Sequence, residues 1–233
     1  MEKITTLDNY TGHKNINGLY QKIINQVPKH SMYAELFAGS AAIYEKFTVP
    51  AAINILNEIN PEVYTLLCEK FKFKNVVLWN RDALEFLQKM KFIWYNDVFV
   101  FLDPPYHHNS RPLATELYEY EMKDIDHVQL LETVLEMDCN IMIIHPKCEL
   151  YDNFLHDWRK VEVKVRYHKK TSIECLYMNY PDPVELQDYS FLGKDCWDRQ
   201  RISRKIEAYQ KKFKKIPVLE RNYIINKLNE LKK

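Results

Sequence analysis

The sequence predicts an α/β protein, a doubly wound and mostly parallel sheet followed by a helical extension. Two observations carry that expectation. Short unbroken apolar runs, of which Val98-Phe99-Val100-Phe101-Leu102 is the clearest, recur between residues 32 and 179 and read as strands covered on both faces. Segments of helical spacing alternate with them, as in a chain of βαβ units. The 233 residues are 46% hydrophobic, enough to bury a sizeable core in one large domain with a small appendage.

Each element has its own signal. Ile16, Leu19, Tyr20, Ile23, Ile24 and Val27 stand at helical spacing across residues 15–29. A strand over residues 32–37 runs into Gly39-Ser40, and a helix is expected from there through Phe47. A second strand, 51–56, leads to the helix PEVYTLLCEKF, where Pro61 suits the first turn because its missing N–H would lie unpaired there anyway. Residues 76–79 read as a third strand, followed after Asp82 by the helix ALEFLQKM, and 98–102 as a fully buried fourth. Helix 123–136, strand 141–144, helix 149–157 and strands near 160–167 and 173–179 complete the expected sheet domain, residues 1–190. Helices near 195–214 and 217–232, separated by Pro217, form the extension, residues 191–233.

Composition excludes several classes. With 13% aromatic residues the chain is neither disordered nor a disulfide-stapled miniprotein. No apolar run approaches the roughly 18 residues of a membrane span, and MEKITTLDNYTGHKN lacks the apolar core of a signal peptide. The five cysteines, at 68, 139, 148, 175 and 196, form no CxxC pair and read as free thiols, not as a zinc site. A soluble cytoplasmic protein, with neither a membrane nor a metal among its partners, is expected. The net charge of +1 conceals an asymmetry: residues 191–233 carry 13 Lys and Arg against 5 Asp and Glu, leaving 20 against 27 on residues 1–190. A basic tail on an acidic body suits a polyanion partner, although charge alone equally describes the solvated face of a terminal helix.

In open α/β sheets ligands bind beyond the carboxyl ends of the strands. Four polar outcrops fall there: Glu35-Leu36-Phe37-Ala38-Gly39-Ser40, Asn57-Glu58, Asp82, and Asp103-Pro104-Pro105-Tyr106. Gly39 would let backbone approach a ligand closely, and an acid ending the second strand suits ribose hydroxyls. Each has a plainer reading, Gly39 as a turn and Asp82 as a helix cap. The DPPY segment is more specific. Two consecutive prolines stiffen the loop, holding a carboxylate, carbonyls and an aromatic face in fixed relation. That set can accept hydrogen bonds from an exocyclic amine while stacking on its ring.

On these residues the chain resembles the Dam-like DNA adenine-N6 methyltransferases of the DPPY class, in their compact phage and bacterial form, over nearly its full length. Tyr10-Thr11-Gly12-His13-Lys14 resembles the family's N-terminal motif, and Tyr33–Ala41 its FxGxG loop. Asn57-Glu58-Ile59-Asn60-Pro61 resembles the ribose motif and Asn80-Arg81-Asp82-Ala83 the motif near the cofactor's adenine. Arg111, Tyr120-Glu121-Met122, His127, Leu150-Tyr151-Asp152, Trp158 and Glu174–Tyr180 are similar to compact members. Departures are Ala41 for the second glycine, Gly12-His13 for Gly-Gly, Glu58 for Asp, and His145-Pro146-Lys147 for Ser-Gly-Tyr. Only 20 residues separate Asp82 from Asp103, too few for an inserted recognition domain.

The resemblance implies a sheet of the S-adenosylmethionine-dependent methyltransferase type and methyl transfer from that cofactor to a flipped adenine in double-stranded DNA. It implies that Tyr10, Lys14, Phe37, Gly39, Ser40, Glu58, Asp82 and Asp103 form the cofactor region. Asp103 and the Pro104 carbonyl would accept the amine's two N–H bonds, Pro105 would stiffen the loop, and Tyr106 would stack on the base. Apart from the motif, Lys14 reads as a surface lysine. Arg111 and the tail residues Lys211, Lys212, Lys214 and Lys215 are the expected nucleic-acid contacts, and a cognate restriction endonuclease is a further candidate partner. Two alternatives stand beside this reading: an RNA adenine-N6 methyltransferase and a non-catalytic nucleic-acid-binding protein on the same fold.

Overall fold

Seven strands form one sheet in the computed structural model, which describes residues 6–7, 14–16, 18–89, 97–110, 119–167 and 170–231. They are β1 (Met32–Glu35), β2 (Ile53–Asn57), β3 (Val77–Trp79), β4 (Val98–Leu102), β5 (Asn140–Pro146), β6 (Arg159–Tyr167) and β7 (Lys170–Met178). Their order across the sheet is β3-β2-β1-β4-β5-β7-β6. Strands β1 to β5 pair in parallel, whereas β7 runs antiparallel to both β5 and β6. The chain winds outward from β1 to β3, then restarts beside β1 with β4. This order reverses at the β1/β4 boundary, the point where such sheets open a ligand crevice.

The alternation along β4 shows how both faces are filled. Phe99 and Phe101 enter one core with Leu56 of β2, with Leu19 and Ile23 of α1 (Leu19–Ile24), and with Val63 and Leu67 of α2 (Pro61–Lys70). Val98, Val100 and Leu102 enter the other, against α3 (Ala83–Lys89), α4 (Asp124–Leu135) and α5 (Glu149–Phe154). Burying a phenylalanine of this kind contributes about 1.5–3 kcal/mol, so the centre of the sheet is fixed mainly by hydrophobic burial. Three of the five thiols, Cys139, Cys148 and Cys175, are buried, Cys68 is half-buried and Cys196 is exposed.

Several expected elements change length for identifiable reasons. The helix expected through Phe47 is a single 3-10 turn, Tyr44–Lys46, because Ala41 takes a left-handed conformation (φ 54°) that no α-helix tolerates. The N-terminal helix shrinks to six residues. Gly18 starts it at φ 96°, and it ends at Ile24 with Asn25 as its C-cap, followed by tighter turn bonds from the Gln26 and Val27 N–H groups to the carbonyls of Ile23 and Ile24. Strand β2 begins at Ile53 because the Asn54 amide folds back on Ala51, bonding both its N–H and its carbonyl. Asn60 caps α2 by accepting from the N–H groups of Glu62 and Val63, with Pro61 in the first turn.

The chain divides into two compact units, Met1–Ser190 and Phe191–Lys233. The second consists of α6 (Cys196–Lys214), capped by Asp195, and α7 (Val218–Glu230), started by Pro217. Neither helix contains a buried residue. Among the described residues no helix is long and apolar enough to cross a membrane.

Candidate active site

The reversal of strand order brings the ends of β1, β2, β3 and β4 onto one rim. Asn57, fully buried, brackets three of them: its amide donates to the carbonyls of Leu36 and Arg81 and accepts from the Arg81 N–H. The loop after β1 is tied down further by the Ala38 N–H, which donates to the Asn57 carbonyl at 2.9 Å. Within that loop Gly39 (φ 51°) and Ala41 both take left-handed backbone. Phe37 packs half-buried against the second core. Ser40 is buried, and its carbonyl accepts from Lys70 Nζ at 2.9 Å.

Glu58, just past β2, is 4% exposed. One carboxylate oxygen accepts from the Gly39 N–H (2.7 Å) and the other from the Asn60 N–H (3.0 Å). Burial raises its pKa, and these N–H groups oppose the rise. The rim acid therefore fixes the glycine loop to the start of α2. Asp82, exposed, accepts from the N–H groups of Leu84 and Glu85 and so caps α3 through one oxygen.

Lys14, Asp103 and Tyr106, distant in sequence, come together at the end of β4. Lys14 Nζ lies 2.7 Å from Asp103 Oδ1 and 4.9 Å from the Tyr106 ring centroid. Lys14 is only 3% exposed, so this pair is shielded and the ammonium is held against the carboxylate. Burial raises the Asp103 carboxyl to about 6 despite the opposing Lys14 charge, with Glu174 adding to the rise. The Tyr106 hydroxyl donates to Glu174, 3.2 Å from each carboxylate oxygen. Glu174 arrives here because β7 runs antiparallel to β5, which pairs Glu174, at the middle of β7, with Pro146, the final residue of β5.

Behind the DPPY segment lies a buried ring cluster. His145 Nε2 accepts from the His107 N–H at 2.9 Å, and the His145 ring stacks on Tyr151 at 4.0 Å. The Tyr151 hydroxyl in turn contacts His127 Nδ1 at 2.8 Å. Farther out, Asp124 Oδ1 meets His107 Nε2 (3.2 Å) and His108 Nδ1 (2.9 Å). These three groups have the chemistry of metal ligands. However, the Asn109 N–H points at His107 Nδ1 (3.3 Å), which puts the ring proton on Nε2, facing Asp124. The group is thereby a hydrogen-bonded clasp between the loop and the first turn of α4.

Tyr10 and Arg111 lie outside the described residues. Lys211, Lys212 and Lys214 occupy the last turn of α6, with Lys215 at its C-cap, all four exposed. Sequence reading did not assign roles to Asn57, His145 or Glu174. The available signal was a buried-type strand interrupted by a polar residue, as in Ile173-Glu174-Cys175-Leu176 and Ile143-Ile144-His145.

A five-stranded parallel sheet extended by an antiparallel β7 between β5 and β6, with a glycine loop after β1 and an acid after β2, is the Rossmann-like methyltransferase fold. No protein-family model matches the chain, and no curated protein matches it. Among solved structures it is similar to TrmK of M. capricolum in complex with S-adenosyl-homocysteine, at 12% identity and TM-score 0.49, over 94% of this chain and 97% of that one. It is also similar to the N-methyltransferase NodS of Bradyrhizobium japonicum WM9 (10% identity, TM-score 0.48, 66% and 80% covered). A third is the precorrin-6y C5,15-methyltransferase of Geobacter metallireducens GS-15 (14%, 0.46, 73% and 94%). At these identities the likeness concerns the fold alone, and the assignment here rests on strand order and register.

Proposed function

We propose that this protein transfers the methyl group of S-adenosylmethionine to the exocyclic amine of an extruded adenine in double-stranded DNA, as a member of the Dam-like class. The observation that carries the reading is the shielded Lys14–Asp103 pair beside Tyr106, at the switch point of the sheet. The residues present suit the cofactor. Left-handed backbone at Gly39 allows close approach, and the Glu58 carboxylate, with about four lone-pair sites, keeps acceptor capacity beyond the backbone N–H groups of Gly39, Ile59 and Asn60. When bound, the cofactor supplies an electrophilic methyl group on a sulfonium.

The protein's part is positioning. The adenine amine is a poor nucleophile because its lone pair is delocalised into the ring. Asp103 and the Pro104 carbonyl accept its two N–H bonds, favouring a tetrahedral nitrogen with its lone pair directed at the methyl group. Tyr106 offers its ring face to the base, and its hydroxyl bond to Glu174 fixes the far end of the side chain. With its carboxyl near 6, Asp103 is ionised at neutral pH and available for the proton that the methylated amine sheds.

The test is incubation of purified protein with labelled S-adenosylmethionine and unmethylated genomic DNA, with an RNA arm, followed by long-read mapping of modified adenines. Methylated adenine at a defined DNA sequence is expected, and Asp103→Ala should lower the rate by about 100-fold or more. Methylation confined to RNA, or an Asp103→Ala variant retaining more than half the rate, would overturn the reading.

A further inference from the structure

We propose that His145 is the positioning residue of the DPPY loop: its imidazole Nε2 anchors the peptide that follows Tyr106 and so sets where the aromatic ring stands. This deepens the methyl-transfer reading above and rests on it.

Prolines 104 and 105 carry no N–H, so the loop has few backbone donors with which to attach itself to the sheet. The His107 N–H meets that need at 2.9 Å from His145 Nε2. Geometry leaves one tautomer. A backbone N–H only donates, so Nε2 must be the acceptor; the proton then sits on Nδ1, 2.7 Å from the Pro146 carbonyl, to which it donates. Both ring nitrogens are satisfied although the residue is wholly buried.

Three contacts hold the ring itself. It stacks on Tyr151 with an interplanar angle of 10°, meets His127 edge-on at 6.0 Å, and presents its face or edge to the Tyr106 ring at 5.6 Å and 68°. The strand alternation explains its direction. Ile141 and Ile143 face the second core, so His145 points the same way, toward α4 and α5. Burial, helped by the neighbouring His127, His107 and Lys14 charges, lowers its pKa to about 3. The neutral acceptor form therefore persists across the working range of pH. Leucine in its place would fill much of the volume but leave the His107 N–H without an acceptor.

The test begins with the wild-type protein, uniformly 15N-labelled. The His145 ring should show the Nδ1–H tautomer and a measurable scalar coupling between the His107 amide nitrogen and Nε2. Absence of that coupling, with both signals assigned, would overturn the proposal. His145→Leu and His145→Gln then separate anchoring from packing. His145→Leu should lower kcat by about 10- to 100-fold, the usual effect of a small misplacement at a reacting centre, with cofactor affinity unchanged. His145→Gln, whose amide oxygen can accept, should recover most of the rate. Wild-type turnover in His145→Leu would overturn the proposal. If the wild type itself methylates no adenine, the methyl-transfer reading fails, and amide exchange decides the anchor separately. Exchange at His107 should accelerate about 10-fold or more in His145→Leu and return in His145→Gln. Unchanged exchange would overturn it.

Discussion

Ala41 occupies a backbone conformation in which glycine is the comfortable residue. Relief of left-handed strain is worth about 1–2 kcal/mol. Against it stand roughly 0.8 kcal/mol for the buried methyl and about 0.5–1 kcal/mol of extra chain entropy. Ala41→Gly should therefore leave stability nearly unchanged, whereas Ala41→Val, β-branched at positive φ, should lose about 2 kcal/mol or more. Chemical denaturation checks both, and equal stability of Ala41→Val and wild type would contradict the left-handed turn. Glu35 is a different case. It is 3% exposed, accepts from the Tyr33 hydroxyl at 2.9 Å, and burial raises its carboxyl from 4.5 to about 8. Folding then retains a proton that the unfolded chain releases, so this group weakens the fold progressively as pH rises from about 4.5 to about 8. Glu35→Gln removes that dependence, and its Tm should gain on the wild type across the same window. A difference independent of pH would show that the carboxyl is not held neutral. For Asp103 the ionised form is the working one, so the proposed methylation rate should rise with pH through about 6 and level off. Lys14→Met, which removes the charge that restrains that pKa, should move the limb to higher pH.

Helix α6 raises a question of electrostatics. Lys211, Lys212 and Lys214 stand in its last turn, where cations complement the negative end of the helix dipole by about 0.3–1 kcal/mol each. That stabilising role and the proposed DNA contact predict different outcomes for joint replacement of Lys211, Lys212, Lys214 and Lys215 by Ala. A purely local role lowers the helical content of the second unit and leaves the slope of log affinity against log salt alone. A role in binding phosphate flattens that slope by up to about 0.9 for each phosphate no longer neutralised, uniformly across DNA sequences. How far the sequence discloses an element depends on where its cause lies. The strands of the sheet and α2, α4, α6 and α7 were legible because their causes are local, in apolar runs, Asn60 and Pro61 at a cap, or Pro217 between helices. The loop after β1 was not, because a single φ at Ala41 ends the helical pattern that its neighbours suggest. Within the site, Asp103, Tyr106 and Lys14 were readable from motif and strand end. Glu174 and His145 were not, since their places follow from the reversed direction of β7 and from which rings α4 and α5 bring behind the loop.

For the whole molecule, the main consequence of the topology is that one reversal of strand order assembles the site from segments between Lys14 and Glu174. The thiols also provide an internal gauge of how well that assembly stays closed. Burial pushes the Cys139 thiol up to about 12 and raises those of Cys148 and Cys175, so none of the three offers an appreciable thiolate at neutral pH. Cys196, by contrast, is exposed to reagent at the first residue of α6. Brief treatment with a maleimide, followed by peptide mass spectrometry, should modify Cys196 first, Cys68 more slowly, and the three buried thiols only once denaturant opens the core. Comparable rates at all five would mean that the sheet opens on the timescale of labelling. In a Cys68→Ser background the same reaction places a single fluorophore on the basic helix, and its anisotropy would then report directly on nucleic acid arriving there.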